Sequence, residues 1–92
     1  MALSFEWDDG KASANIEKHG VDFIDAVQIF ASRTVEAIDD RQDYGEMRIR
    51  AIGVHNGVVY VVVYTRRGTA LRIISAWKAG RNDRDHYANY AR

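Results

Sequence analysis

The stretch that most constrains the fold is residues 58–78, VVYVVVYTRRGTALRIISAWK, where β-branched and aromatic residues are densest. Such residues favour extended strands, and a polar, glycine-containing patch between two apolar runs is typical of a hairpin turn. We therefore predict a β-hairpin whose turn lies at Thr65–Thr69. Because Val58–Tyr64 is apolar at every position, we expect this strand at the centre of a sheet that is covered on both faces.

The segment before this hairpin predicts another strand. Residues Glu46–His55 alternate along the chain, so Arg48 and Arg50 are expected to emerge on one face of the sheet. Gly53 within this strand marks either a bulge or a close backbone approach. Asn56-Gly57 is a strong signal for a tight hairpin, and it predicts a direct turn into the next strand. The expected result is an antiparallel meander of three strands, at 46–55, 58–65 and 70–77.

The N-terminal half reads as two short helices between two strands. Helical spacing of apolar residues, N-cap aspartates and a glycine after His19 define the helices. A last helix, with Asn82 as its cap, follows the meander, which gives the order β-α-α-β-β-β-β-α. The elements outside the meander are an edge strand at Leu3–Trp7, a helix at Gly10–His19, a helix capped by Asp22 with apolar Phe23, Ala26, Val27 and Phe30, a strand at Thr34–Ile38, and a charged loop at Asp39–Gly45.

Size and composition limit the possible classes of protein. Ninety-two residues without a linker indicate a single domain, residues 1–92. The absence of cysteine excludes disulfides and thiolate metal sites. No apolar run is long enough for a membrane span, so we expect a soluble, cytoplasmic protein.

The net charge of zero conceals an uneven distribution along the chain. Residues 1–40 carry three Lys/Arg against nine Asp/Glu, whereas residues 41–92 carry ten against four. A basic half suits a surface that binds nucleic-acid phosphates. Two halves that neutralise each other across the fold would explain the same pattern.

Known catalytic motifs are absent from the sequence. It contains no glycine-rich phosphate loop, no paired-histidine zinc motif and no serine elbow. His19, His55 and His86 fall on three different elements, and the loop Asp39–Gly45 lacks the calcium-binding register. We therefore expect neither a metal nor a cofactor.

The basic and acidic side chains nevertheless fit metal-free RNA cleavage. That reaction needs a base for the 2′-hydroxyl proton, cations for the charge that develops on the phosphate, and an acid for the leaving oxygen. Glu46 or His19 could be the base, arginines could grip the phosphate through two donors, and Lys78 or a histidine could neutralise the leaving group.

Four blocks of the sequence, spread from Phe5 to Tyr87, resemble the BrnT family of type II toxin–antitoxin toxins: FEWDDGKASANIEKHGVDF, RIRAIG, VVYTRRG and RIISAWKAGRNDRDHY. The resemblance implies a RelE-like α+β fold, with two N-terminal helices and a C-terminal helix packed on a twisted antiparallel sheet. It also implies a bacterial ribonuclease that halts translation. Its partner would be a BrnA-like antitoxin with a ribbon-helix-helix portion, and the pair would repress their own operon.

The resemblance also suggests which residues form the site. Lys18 and His19 match the family's K-H-G, and Arg48, Arg66 and Arg72 match its arginines ahead of A-I-G, after V-Y-T and in R-I-I-S. The family usually has two successive cations after I-I-S-A, where this chain has a tryptophan and then a lysine. That tryptophan could stack on an RNA base or fill the core. The candidates are Lys18, His19, Glu46, Arg48 and Arg72 for catalysis, and Arg50, Arg66, Arg67, Trp77 and Lys78 for substrate binding.

Three functions compete at this level. The leading hypothesis is a ribonuclease toxin, whose Arg48, Arg66 and Arg72 would converge on one hollow. The second is a non-catalytic protein of the same fold that binds an antitoxin as transcriptional co-repressor, and the third is a gyrase-directed toxin. We expect the toxin to form a heterotetramer with its antitoxin, two copies of each, because so small a sheet leaves apolar surface exposed.

Overall fold

A five-stranded sheet with helices on both faces forms the molecule in the computed structural model, which describes residues 3–90. The α+β class is therefore confirmed. The elements are β1 Ser4–Glu6, α1 Asp9–His19, α2 Phe23–Ala26 with a 3-10 helix at Val27–Ala31, β2 Val35–Ile38, β3 Ile49–His55, β4 Val58–Arg67, β5 Ala70–Lys78 and α3 Arg81–Tyr90.

The strands lie in the order β1-β5-β4-β3-β2, so β4 is central and β1 is an edge strand, as predicted. The meander β3-β4-β5 is antiparallel throughout. β1, however, pairs with β5 in parallel, so the prediction of a purely antiparallel sheet is wrong at this edge. Most of the chain separates β1 from β5, and hence no tight turn imposes an antiparallel pairing on them.

The two faces of the sheet have separate apolar clusters, because neighbouring residues of β4 point in opposite directions. On the helix face, which α1 and α2 cover, Val62 packs with Phe23 and Ile29. On the opposite face, Val61 packs with Trp77 of β5 and Tyr87 of α3. Each large side chain that is fully buried in this way stabilises the fold by about 1.5–3 kcal/mol. The prediction of a central strand covered on both sides is confirmed.

Gly53 marks a close approach between β3 and the 3-10 helix. A Cβ atom built on Gly53 would lie 2.7 Å from the Cβ of Ile29, a distance that Cβ atoms in proteins essentially never show. Ile29 is itself completely buried. Glycine at this position therefore allows the 3-10 helix to lie directly on the strand.

Several predicted boundaries differ from the structure. β3 begins at Ile49 rather than Glu46, and the Thr65 hydroxyl donates to the Met47 carbonyl at 2.8 Å just before it. β4 continues to Arg67, so the loop predicted at Thr65–Thr69 shrinks to Gly68 and Thr69, with Gly68 at φ 60°. The last helix begins at Arg81, which places Asn82 inside it rather than at its cap.

Candidate functional site

A hollow of about 470 Å³ lies around the last residues of β5. We call it the basic hollow. Its lining comes from the end of α1, the loop between β2 and β3, and the end of β5. Within residues 3–90, the side chains that line it include no carboxylate. They are Lys18, His19, Arg41, Ser75, Trp77 and Lys78.

Asn15 brings the end of α1 to this place. β1 pairs with residues 70–72 of β5, and within residues 3–90 no strand pairs with the outer edge of β5 further along. The Asn15 amide occupies that edge: its Nδ2 donates to the Ala76 carbonyl at 2.8 Å, and its Oδ1 accepts from the Ala76 N–H at 3.1 Å. The same Nδ2 donates to the Val21 carbonyl at 2.9 Å, and Asn15 is only 6% exposed. The amide thus completes the sheet edge and fixes α1 against β5.

The last turn of α1 places Lys18 and His19 beside the basic hollow. Gly20 ends the helix with φ 69°, and its N–H donates to the Ile16 carbonyl at 2.8 Å. A glycine accepts this left-handed conformation without steric cost. The His19 ring lies 5.8 Å from the Trp77 ring, centroid to centroid. A histidine and a lysine from one helix end therefore face the aromatic side chain of β5.

Arg41 reaches the basic hollow from the loop, where Asp39 holds it. The Arg41 Nε donates to Oδ1 of Asp39 at 2.7 Å, and its Nη2 donates to Oδ2 at 2.9 Å. The Asp39 side chain is 1% exposed, whereas that of Arg41 is 55% exposed. The guanidinium carbon of Arg41 lies 5.6 Å from the centre of the Trp77 ring. The buried Asp39 carboxylate thus holds the half-exposed Arg41 guanidinium at the rim of the basic hollow.

The Asp39–Arg41 pair changes the proton affinity of both groups. Hydrogen bonding to the Arg41 guanidinium, with its charge, holds the pKa of Asp39 below its ordinary value against the opposing effect of burial. The same hydrogen bonds and charge raise the pKa of Arg41. Both groups are consequently ionised at neutral pH.

Sequence reasoning missed Arg41 and Ser75. Arg41 lies among acids in the charged loop Asp39–Gly45, for which the sequence suggested no function beyond a rejected calcium site. A usable signal was the position of Asp39: it directly follows β2, and its N–H continues the β2–β3 ladder by donating to the Arg48 carbonyl at 2.8 Å. A carboxylate held there by the ladder needs a partner when it is buried, and the nearest arginine in the sequence is Arg41.

A second hollow, of about 350 Å³, lies at the start of β3 and the end of β4. We call it the paired hollow, because a carboxylate accompanies its cations. Glu46 accepts from the Nε of Arg48 at 3.1 Å and lies 3.8 Å from an Arg67 nitrogen. Arg48 also lies over the Tyr44 ring, 4.0 Å from its centre. The residues that line this hollow are Glu46, Met47, Ile49, Thr65, Arg66 and Arg67.

The remaining predicted arginines lie outside both hollows. Arg72 donates to Glu6 at 2.9 Å, its register partner on β1. Arg50 lies opposite Val63 on β4, and Val63 lies opposite Ser75 on β5, so a whole strand separates Arg50 from the basic hollow.

The expectation that Arg48, Arg66 and Arg72 converge on one hollow is therefore wrong. Of these three arginines, Arg66 lines the paired hollow, Arg48 contacts the glutamate of that hollow, and Arg72 contacts Glu6 of β1. Of the residues that the sequence suggested, the basic hollow collects Lys18, His19, Trp77 and Lys78. Trp77 combines both environments considered for it, since it packs against the apolar cluster of the outer face and also lines the hollow.

No group of three or more histidine, aspartate or glutamate side chains in residues 3–90 could hold a metal ion. In the same range, no helix is both long and apolar enough to cross a membrane.

Comparison with known proteins agrees with the resemblance seen in the sequence. Comparison with curated proteins gives no match. A family model described as "Ribonuclease toxin, BrnT, of type II toxin-antitoxin system" matches residues 7–83, which include α1, the whole sheet from β2 to β5 and the lining of the basic hollow. The chain thus belongs to the BrnT family of ribonuclease toxins of type II toxin–antitoxin systems.

Proposed function

We propose that this chain is an endoribonuclease toxin that cuts RNA without a metal ion, with the scissile phosphate in the basic hollow. The observation that carries the proposal is the set of Lys18, His19, Arg41 and Lys78 around one hollow whose lining, within residues 3–90, has no carboxylate. A phosphodiester is an anion. A site whose lining holds several cations and no carboxylate is the simplest one that can bind it.

Electrostatics favours phosphate binding in a hollow with several cations over binding at an isolated surface cation. Two opposite charges about 4 Å apart interact by about 4 kcal/mol at the effective dielectric constant near a protein surface, and by about 1 kcal/mol in bulk water. Cations that share one concave site act on the same phosphate. Charge that builds up on the phosphate oxygens during the reaction is stabilised in the same way.

The chemistry that we propose is attack by the neighbouring 2′-hydroxyl. His19 takes the 2′-hydroxyl proton, the freed oxygen forms a bond to phosphorus, and the bond from phosphorus to the 5′ oxygen breaks. Lys78 donates a proton to that leaving oxygen, while Lys18 and Arg41 offset the charge on the phosphate. The products are a 2′,3′-cyclic phosphate and a 5′-hydroxyl end. Of the two bases that the sequence left open, His19 is favoured because Glu46 lines the paired hollow beside two arginines.

Trp77 gives the basic hollow a place for a nucleobase. Its indole is only partly buried, with the centre of the His19 ring 5.8 Å and the guanidinium carbon of Arg41 5.6 Å from the centre of its ring. Stacking of a base on an aromatic side chain is worth about 1–3 kcal/mol and tolerates any base. The hollow thus offers contacts for both parts of a nucleotide.

The decisive experiment is RNA cleavage by purified toxin, free of antitoxin, in EDTA. We expect the wild type to cut RNA and His19→Ala to lose the activity, whereas His86→Ala, an exposed histidine on α3, keeps it. Intact RNA with folded wild-type protein would contradict the proposal. The remaining hypotheses would then be an antitoxin-binding co-repressor and a gyrase-directed toxin.

We further propose that a BrnA-like ribbon-helix-helix antitoxin neutralises this toxin in the cytoplasm and that the two proteins together repress their operon. Large apolar side chains on the surface, among them Ile24, Ile38 and Met47, support a partner that covers them. The expected assembly has two toxins and two antitoxins. Light scattering on the co-eluting complex measures this stoichiometry, and proteins that never co-elute would contradict it.

A further inference from the structure

Asp39 and Arg41 form an ion pair beside the basic hollow whose role the proposed function does not explain. An acid beside a phosphate-binding arginine offsets part of the charge that attracts RNA. Asp39 is nevertheless fully buried and bonded to Arg41 through both carboxylate oxygens. The Asp39 carboxylate therefore lowers the net positive charge at Arg41 and at the same time fixes the orientation of its guanidinium.

The donors of Arg41 explain how the same side chain can hold Asp39 and bind a ligand. A guanidinium has five N–H groups in a rigid plane. Asp39 takes the Nε–H and one N–H of Nη2. The N–H groups that point away from Asp39, on Nη1 and Nη2, form a second pair with the spacing of two phosphate oxygens. Arg41 is half exposed and lines the hollow, so its guanidinium is accessible to a ligand there.

The rest of the loop holds Asp39 in turn. Its N–H donates to the Arg48 carbonyl at 2.8 Å, which ties it to the β2–β3 ladder. The Tyr44 hydroxyl donates to Oδ2 of Asp39 at 3.3 Å, and the Arg48 guanidinium covers the Tyr44 ring. A long arginine side chain loses much conformational entropy when it is fixed. Here Arg41 is already ordered by folding, so this entropy cost does not fall on RNA binding.

We propose that Asp39 is a positioning residue, which orients Arg41 so that its remaining N–H pair grips a phosphate of RNA in the basic hollow. This inference rests on the proposed ribonuclease function and assigns a task to a buried acid within it. Asp39 itself touches no substrate. Its effect reaches the RNA only through Arg41.

A simple competing role for Asp39 predicts the opposite result. If the carboxylate only offsets the charge of Arg41, Asp39→Asn makes the hollow more positive, and RNA binds more tightly. If Asp39 positions Arg41, the same change frees the guanidinium, and both binding and cleavage weaken. The sign of the change in RNA affinity therefore separates the two roles.

The test measures single-turnover RNA cleavage by the full-length toxin and by Asp39→Asn, Arg41→Gln and the double variant. Asp40→Asn is the matched control, since it removes an exposed carboxylate from the same loop. We expect Asp39→Asn to slow cleavage by about 10–100-fold, the usual cost of a misplaced group, with Asp40→Asn close to wild type. The double variant should be no slower than Arg41→Gln. The inference would be overturned if the double variant were slowed by the product of the two single effects. It would also be overturned if Asp39→Asn cleaved RNA as fast as Asp40→Asn.

Arg41→Lys keeps the experiment decisive if Asp39→Asn does not fold. Lysine preserves the charge but lacks the two planar donor pairs. We expect slow cleavage by Arg41→Lys, and a rate equal to wild type would overturn the inference.

Binding of an uncleavable 2′-O-methyl RNA separates failure of this inference from failure of the proposed function. A wild type that cuts no RNA in EDTA contradicts the proposed function. The positioning role is then decided by binding alone: weaker binding by Asp39→Asn than by Asp40→Asn supports it, and equal or tighter binding overturns it.

Discussion

The two hollows of this protein contain similar numbers of cations but differ in what surrounds them. In the paired hollow, Glu46 lies against Arg48 and Arg67. In the basic hollow, the lining within residues 3–90 holds cations, an imidazole and an indole without an acid, and the carboxylate of Asp39, which is bonded to Arg41, is buried. The comparison teaches that the number of arginines in a segment does not reveal where the acids lie among them. The two hollows differ in whether a carboxylate shares the lining with the cations.

The sharpest test of the comparison sets one candidate base against the other. His19→Ala should slow cleavage by about 10²–10⁴-fold, the usual contribution of a positioned acid or base, while Glu46→Gln should remain close to wild type. Rates of RNA cleavage in EDTA measure both. The reverse result would move the active site to the paired hollow.

The second prediction concerns how the basic hollow is held together. Asn15→Ala should lower the free energy of unfolding by about 1–3 kcal/mol, because it leaves the buried Ala76 N–H and C=O without their partner. It should also slow cleavage, since α1 positions Lys18 and His19. Urea unfolding measures the stability. Gln28→Ala is the control, because it removes a single exposed hydrogen bond from the amide to the Ile24 carbonyl.

The third prediction compares one cation from each hollow. Lys78→Ala should weaken binding of uncleavable single-stranded RNA and reduce the steepness of its salt dependence by about 0.7, the value of one lost phosphate contact. Arg67→Ala should leave that slope unchanged, because Arg67 lines the paired hollow and not the basic hollow. Titrations at several salt concentrations measure the slopes. Equal slopes for Lys78→Ala and wild type would contradict the assignment of Lys78 to the RNA.

The smallest expected effect is the pH dependence that Asp39 gives to the free energy of unfolding in acid. Its pKa is lowered from 3.8 in the folded protein by hydrogen bonding to Arg41, so the folded state binds this proton less tightly than the unfolded chain does. The resulting stabilisation is fully present above the unfolded pKa and is lost as the pH falls through the lower, folded value. The stability gap between wild type and Asp39→Asn should therefore narrow below about pH 4. Urea unfolding at a series of pH values measures it, and a gap that is constant down to pH 2 would contradict the assignment.

Much of the fold could be predicted from local sequence. Asn56-Gly57 predicts the β3–β4 turn, Gly20 predicts the end of α1, and the apolar run of β4 predicts a central strand; all three are confirmed. Each depends on the conformational preferences of a few adjacent residues. The parallel pairing of β1 depends on residues far apart in the chain, and three paired residues are too few to leave a pattern.

The site could be predicted only in part, for the same reason. Helix position and strand alternation give the local neighbours of Lys18, His19, Trp77 and Lys78, but their meeting depends on the long-range contact between Asn15 and Ala76. Strand alternation places Arg72 on a face of the sheet. It does not reveal that Glu6 lies next to it on a parallel strand.

The single amide of Asn15 also has a consequence for solubility. A strand edge with unpaired N–H and C=O groups is a template on which other chains can assemble, and proteins commonly block such edges with charges, proline or a covering segment. Here the covering group is one side chain projecting from a helix. A toxin that lacked it would lose stability and would also present β5 to its neighbours, so we expect edge-to-edge aggregation to accompany unfolding whenever α1 detaches.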